Sequence, residues 1–198
     1  MREKWIWGAA LAALGCAWAG GTALSQEGDA AMEAWMKACT PGEKHERLGA
    51  LVGTWDTVTR IWMAPGQPPS EDTGEAEFTW LFPGRWIQQR TKGTMMGMPH
   101  EGFGVLGYDN FKQKYVGSWT DNMTTALLTF QGSFDKQGDN LVMWGPMDEP
   151  MTGEHDKTVK YVTRFRGPDE LLFEIHDMVI GEGPEAKVIE ISYKRRKQ

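Results

Sequence analysis

Cysteine is scarce: the 198-residue chain has two, Cys16 and Cys39. Two thiols close at most one bridge, so a disulfide framework is excluded. A zinc site built from paired Cys-x-x-Cys motifs is excluded with it. Basic charge is also short, with 21 Lys and Arg against 27 Asp and Glu and a formal net charge of −6. Proteins that grip nucleic acid concentrate a basic face, so no nucleic-acid partner is expected. Four bases do stand together, Lys194-Arg-Arg-Lys197, and read as a solvated strand end. Neither G-x-S-x-G nor H-E-x-x-H occurs, which removes two common signatures of hydrolytic enzymes. Repeats and low-complexity blocks are absent too. The length allows one ordinary domain.

Long apolar runs are confined to the start. Met1-Arg-Glu-Lys4 opens with two bases, and Trp5 to Ala23 carries no charge. Ala17-Trp18-Ala19 and Ala23-Leu24-Ser25 both fit a small-x-small cleavage site. Residues 1–25 are therefore expected to be a secretory signal peptide, with the mature chain beginning between residues 20 and 26. A retained anchor needs about 20 strongly apolar residues, and Gly and Ala dilute this run. The expectation is a periplasmic or secreted protein with no stable membrane insertion after cleavage. Leu14-Gly15-Cys16 offers a lesser route, lipid attachment through Cys16.

What the chain does have is ten Trp, twelve Met and 24 Gly. Such aromatic content belongs to a chain with a core, not to a disordered one. Within 29–38, Met32, Trp35 and Met36 fall at i, i+3 and i+4, one stripe of a short helix. Thr40-Pro-Gly-Glu43 reads as the start of a second helix, ending before Gly53. Residues 26–52 thus form a helical extension. From Trp55 onward the helical period disappears. Strands are predicted at 55–63, 75–82, 85–92, 102–108, 113–120, 125–134, 140–146, 157–166, 171–178 and 186–196, separated by Gly, Pro, Asn and Asp. Short links between successive strands mean hairpins. A sheet of this size tends to close, which also removes its edges. Residues 53–198 are therefore predicted to be all-β, an up-and-down antiparallel barrel of about eight to ten strands.

Alternation assigns some faces. Val159, Tyr161, Thr163 and Phe165 should face inward, as should Ala76, Phe78, Trp80 and Phe82 on an earlier strand, and Ile189, Ile191 and Tyr193 on the last. Elsewhere the faces are mixed: Trp86 lies with Gln88 and Arg90, and Tyr115 and Trp119 lie with Gly117. A small barrel lined this way can hold one ligand. The expected lining is Trp55, Gln88, Arg90, Tyr115, Trp119 and Tyr161. The competing reading sends the polar rows to water.

Four motifs carry possible chemistry. Gly102-Phe-Gly104-Val-Leu-Gly107 matches the dinucleotide fingerprint, but Tyr108-Asp109-Asn110 turns into another strand where that fingerprint needs a helix. These glycines are expected to bend a strand. Met95, Met96, Met98 and His100 offer soft ligands suited to Cu(I). Adjacent residues of an extended segment point apart, however, so Met95 and Met96 cannot both ligate. The preferred reading is an apolar loop over the barrel mouth. His155, between Glu154 and Asp156, reads as solvated loop. His176 reads as surface, with axial haem ligation as its alternative. No cofactor is expected, haem and copper being the alternatives.

Leu51-Val-Gly53-Thr-Trp55 resembles the entry of the lipocalin-like (calycin) barrels. That resemblance implies that Trp55 closes one barrel end, with Arg195 or Arg196 stacked over its indole. Met95-Met-Gly-Met-Pro-His-Glu-Gly102, Gly107-Tyr-Asp-Asn110, Lys114-Tyr115, Trp119-Thr-Asp121 and Pro150-Met-Thr-Gly153 resemble a bacterial family, domain of unknown function 1579, over about residues 41–196. The family implies the calycin barrel and brings no established activity, substrate or catalytic residue. His100 stands where the family pattern leads us to expect an aromatic.

Two functions follow. The first is an exported, non-catalytic binding protein for a small apolar or amphipathic molecule. The second is an enzyme with Asp121 as base beside Trp119, burial raising its carboxyl. Oligomeric state is left open.

Overall fold

The computed structural model describes residues 23–64, 66–150, 153–177 and 185–197. The expected signal peptide through residue 22, with Cys16, lies outside these residues. So do Met151 and Thr152 of the Pro150–Gly153 motif.

Ten strands follow in chain order: β1 (Gly53–Ile61), β2 (Ser70–Phe82), β3 (Trp86–Met95), β4 (Met98–Asp109), β5 (Lys114–Asp121), β6 (Leu128–Phe134), β7 (Asn140–Glu149), β8 (Glu154–Gly167), β9 (Glu170–Asp177) and β10 (Ala186–Arg195). Each is antiparallel to its neighbour in sequence, and β1 pairs with β10 to close the barrel. The predicted all-β, up-and-down barrel is what forms. Closure leaves no unpaired edge.

Several boundaries moved. The strand expected from residue 75 begins at Ser70, and the one expected from 102 begins at Met98. The second shift follows from Met96 and Gly97, which take φ of 51° and 74°. Two successive positive values make the tight turn that matches strand twist. Asp72 accepts the N–H groups of Met96 (2.7 Å) and Gly97 (3.2 Å) and so fastens the tip. The expected covering loop is therefore a hairpin tip, and Met96 and Met98 are exposed on it.

Ahead of the barrel, α1 spans Ala23–Cys39, starting before the expected 29. The extension is divided, since residues through Lys37 form one compact unit and residues from Ala38 belong with the barrel. The second helix is shorter than expected, α2 (Glu43–Glu46) running into a 3-10 turn over Arg47–Leu51. Its cap is Gly42, not Thr40, and His45 Nδ1 accepts the Gly42 N–H at 3.1 Å. No helix among the described residues is long and apolar enough to cross a membrane.

Segment 38–52 closes one end of the barrel. Tyr115 OH donates to Lys44 O at 2.9 Å, and Asn110 Nδ2 donates to Thr40 O at 2.7 Å. Arg85 donates to Cys39 O. Arg47 donates to Gly138 O at 2.5 Å and stacks 3.6 Å above Phe134. Leu48 and Leu51 reach down into the core. The turns after β2, β4 and β6 are thus each tied to this plug, and Arg195 ties in the fourth.

Candidate functional site

The floor comes first. Trp55 is fully buried and donates Nε1–H to Leu51 O at 2.9 Å. Arg195 lies over it, with Cζ 4.0 Å from the ring. Its fork donates to three carbonyls: Pro168 at 2.8 Å, Val52 at 2.6 Å and Ala50 at 2.8 Å. Arg196, one residue on, points the other way and pairs with Asp56 and Glu75 outside the barrel. Trp55 and Arg195 belong to the floor and do not line the cavity.

Above the floor is a cavity of about 70 Å³. Leu51, Leu171 and Tyr193 form its lower wall, Phe78 and Ile87 one side, Phe130, Met143 and Phe173 the other, and Trp119 its roof. Its polar groups are few. Gln89 Nε2 donates to Tyr193 OH at 3.2 Å, and Thr163 is nearby. Burial pushes the Tyr193 phenol up to about 12, against the opposing Gln89 hydrogen bond.

Of the expected lining residues, only Trp119 touches this cavity. Gln88 and Arg90 stand on the outer face, where Gln88 donates to Thr79 Oγ1 at 3.0 Å and Arg90 covers Phe103. Their partners across the ladder are the outward residues Thr79 and Glu77, whereas Gln89 pairs with inward Phe78. Trp80 pairs with Ile87 but Phe82 pairs with Trp86, so Leu81 is a bulge. A bulge reverses the inward-outward sequence beyond it. Phe82, expected inside, is exposed, and Gln89 replaces Gln88 within. Tyr115 packs on Tyr108 and Phe134 near the plug. Tyr161 is buried against Phe130, centroids 5.0 Å apart, and its hydroxyl has no partner among the described residues. Desolvation raises its phenol to about 12.

Toward the open end, Trp119 lies flat on β4. A Cβ at Gly102 would fall 2.6 Å from Trp119 Cη2 and 2.8 Å from Thr91 Oγ1. The Gly-x-Gly spacing thus makes room for an indole, whereas a bent strand was expected. Trp119 Nε1 donates to Asp121 Oδ2 at 3.1 Å, and His100 is nearly parallel to the indole at 6.5 Å. Asp121 Oδ1 accepts the N–H groups of Met123 (3.0 Å) and Thr124 (3.1 Å). A carboxylate that holds a loop through Oδ1 and a ring through Oδ2 is poorly placed as a base. The rim beyond carries exposed Met63, Met96, Met98 and Leu127.

His176 sits on the outer face between Glu185 Oε1 (2.6 Å) and Glu174 Oε2 (3.4 Å). Both ring nitrogens face carboxylates, and neither faces the cavity. Burial works to raise the Glu174 carboxyl, but Arg164 at 2.8 Å, with His176 and Lys187, brings it below its ordinary value. His155 is exposed beside Asp148. Among the described residues no three His, Cys, Asp or Glu side chains converge as a metal site.

A closed antiparallel barrel plugged by an N-terminal segment, with a Trp–Arg floor and an interior cavity, is of the calycin type. The chain belongs to the family described as "Protein of unknown function (DUF1579)", whose sequence pattern matches residues 40–195. Solved structures share the fold. The crystal structure of Rv2717c from M. tuberculosis aligns at TM-score 0.54 and 17% identity, covering 80% of this chain and 100% of that one. The S-type phycobiliprotein lyase CPES from Guillardia theta aligns at TM-score 0.53 and 12% identity, covering 82% and 97%. No curated protein matches the chain.

Proposed function

We propose that the protein is an exported, non-catalytic binding protein for a small, partly apolar molecule held inside the barrel. The observation that carries this reading is the asymmetry of the interior. One end is sealed by hydrogen bonds to segment 38–52, while an aromatic cavity lies above that seal and beneath Trp119. Apolar walls with a few placed polar groups are the usual composition of a ligand pocket. Size sets the ligand. A cavity of about 70 Å³ is roughly half that which accepts benzene, so the closed form takes a molecule of a few heavy atoms or the tip of a longer chain. Trp119 is half-buried, and its displacement is the route to a larger volume. The thioether rim suits entry of an apolar group. Binding of this kind asks for no cofactor.

Native mass spectrometry of protein purified from its own cells tests the reading. A mass excess that disappears on denaturation supports it and reports the ligand's mass. A bare polypeptide whose melting temperature also ignores small apolar probes would falsify it. N-terminal sequencing of the same sample tests export: a first residue between 20 and 26 supports it, and an intact Met1 counts against it.

A further inference from the structure

Among the described residues, four buried side-chain atoms have no hydrogen-bond partner: Ser70 Oγ, Thr91 Oγ1, His100 Nε2 and Tyr161 OH. The register puts all four on the interior face, opposite Ile61, Ala76, Gly93 and Met143. Buried polar atoms are rarely left unpaired, because each forfeits its hydration without compensation. Such orphans in a barrel interior point to a partner that is not part of the chain.

His100 is the most informative of them. It is 8% exposed, and its Nε2 lies 3.9 Å from Asp121 Oδ2. That distance is too long for a hydrogen bond and is of the size that one bridging oxygen spans. Nε2 is shut off from bulk solvent, so whatever bridges the pair is held inside the barrel. Asp121 Oδ2 accepts one bond from Trp119 and keeps further acceptor capacity. Thr91 Oγ1 lies on the same face, beside Gly102. His100 Nε2 and Asp121 Oδ2 therefore flank one spot at the upper edge of Trp119, and the register sets Thr91 in the same row across Gly102.

We propose that this spot recognises a neutral hydroxyl, an alcohol or phenol, on the ligand of the barrel. Its oxygen accepts from His100 Nε2–H and donates to Asp121 Oδ2, with Thr91 as third partner. Its apolar body passes Trp119 into the cavity. The assignment rests on the interior-binding reading and adds the chemical class. A carboxylate or phosphate would meet the Asp121 charge, and a cation would gain little from a carboxylate already served by several N–H groups. A hydroxyl is both donor and acceptor and meets neither penalty.

1-Propanol and 1-fluoropropane, alike in size and small enough for the cavity, separate the two claims. Each is titrated into the full 15N-labelled chain while the Trp119 indole N–H resonance, identified by its loss in Trp119→Phe, is followed. The expectation is propanol binding at least about tenfold more tightly, a ratio that falls roughly tenfold in His100→Phe and in Thr91→Val. Thr91→Val changes little volume and keeps the test alive if His100→Phe does not fold. Equal affinity in the native chain overturns the hydroxyl site and leaves the apolar cavity standing. A preference that survives both substitutions overturns the residue assignment. If neither probe moves the resonance, the hydroxyl site and the interior-binding reading fall together.

Discussion

At the residue scale, the floor depends on one arginine and one tryptophan. Arg195 offers a planar fork to three carbonyls while covering the Trp55 ring. A lysine has a single nitrogen and cannot reach all three. Arg195→Lys is therefore expected to lower stability by about 1–3 kcal/mol, since carbonyls of Ala50, Val52 and Pro168 lose donors. Trp55→Ala removes a fully buried ring and should lower it by about 3–5 kcal/mol. Urea unfolding measures both, and near-native midpoints would show that the floor bears little of the fold. The buried phenols give a second check. Burial raises Tyr115, Tyr161 and Tyr193 to about 12 from the ordinary 10. Absorbance titration of the folded chain should show these three remaining protonated through pH 11. Between pH 10 and 12 the unfolded chain releases protons that the folded chain keeps, so stability should fall as pH rises through that window. Ordinary titration of all four tyrosines near pH 10 would contradict the burial.

At the scale of elements, strands were legible because side chains alternate and turn residues punctuate them. The faces of β8 and of β10 from Ile189 onward follow directly from that alternation. The face of β3 does not. Apolar Trp86 made the wrong face look like the inner one, and the bulge at Leu81 turns its partner Phe82 outward with it. Nothing in the composition of Thr79–Phe82 marks where the extra residue falls, because bulges answer to the pairing partner as well as to the local sequence. The β3–β4 hairpin was hidden for another reason. Its Met96-Gly97 turn lacks the usual Asn or Asp, and the fastening carboxylate comes from Asp72 on β2. Gly102→Ala tests the packing of β4 against β5. Its methyl would collide with Trp119 and Thr91, so a loss of about 1–3 kcal/mol is expected, with a displaced Trp119 indole resonance. An unmoved resonance would mean that the glycine serves something other than the indole.

For the whole molecule, barrel closure was legible from strand count and short links, whereas the plug was not. Its bonds join Tyr115 to Lys44, Asn110 to Thr40 and Arg47 to Gly138, partners far apart in sequence that no local pattern pairs. The candidate site divides in the same way. Trp119 and His100 stood out by residue type, but Gln89 came into view only with the register. Truncation before β10 tests how far the barrel depends on its last strand. Removing residues 186–198 takes Arg195 from the floor and exposes the edges of β1 and β9. Loss of the cooperative unfolding transition, with aggregation through the open edges, is the expected outcome. A monomeric, cooperatively folding truncate would show that nine strands suffice.

The bond from Arg195 to Ala50 spans 145 residues, and this has a consequence in time. A chain emerging from the ribosome cannot seal its floor until β10 has been made, so early strands wait with their partner missing. Long-range pairing of this kind slows folding, to milliseconds or seconds in barrels of non-local contacts. Under the proposed export, that delay would keep the chain loose enough to be threaded. The last strand thus acts as a timer for completion of the fold.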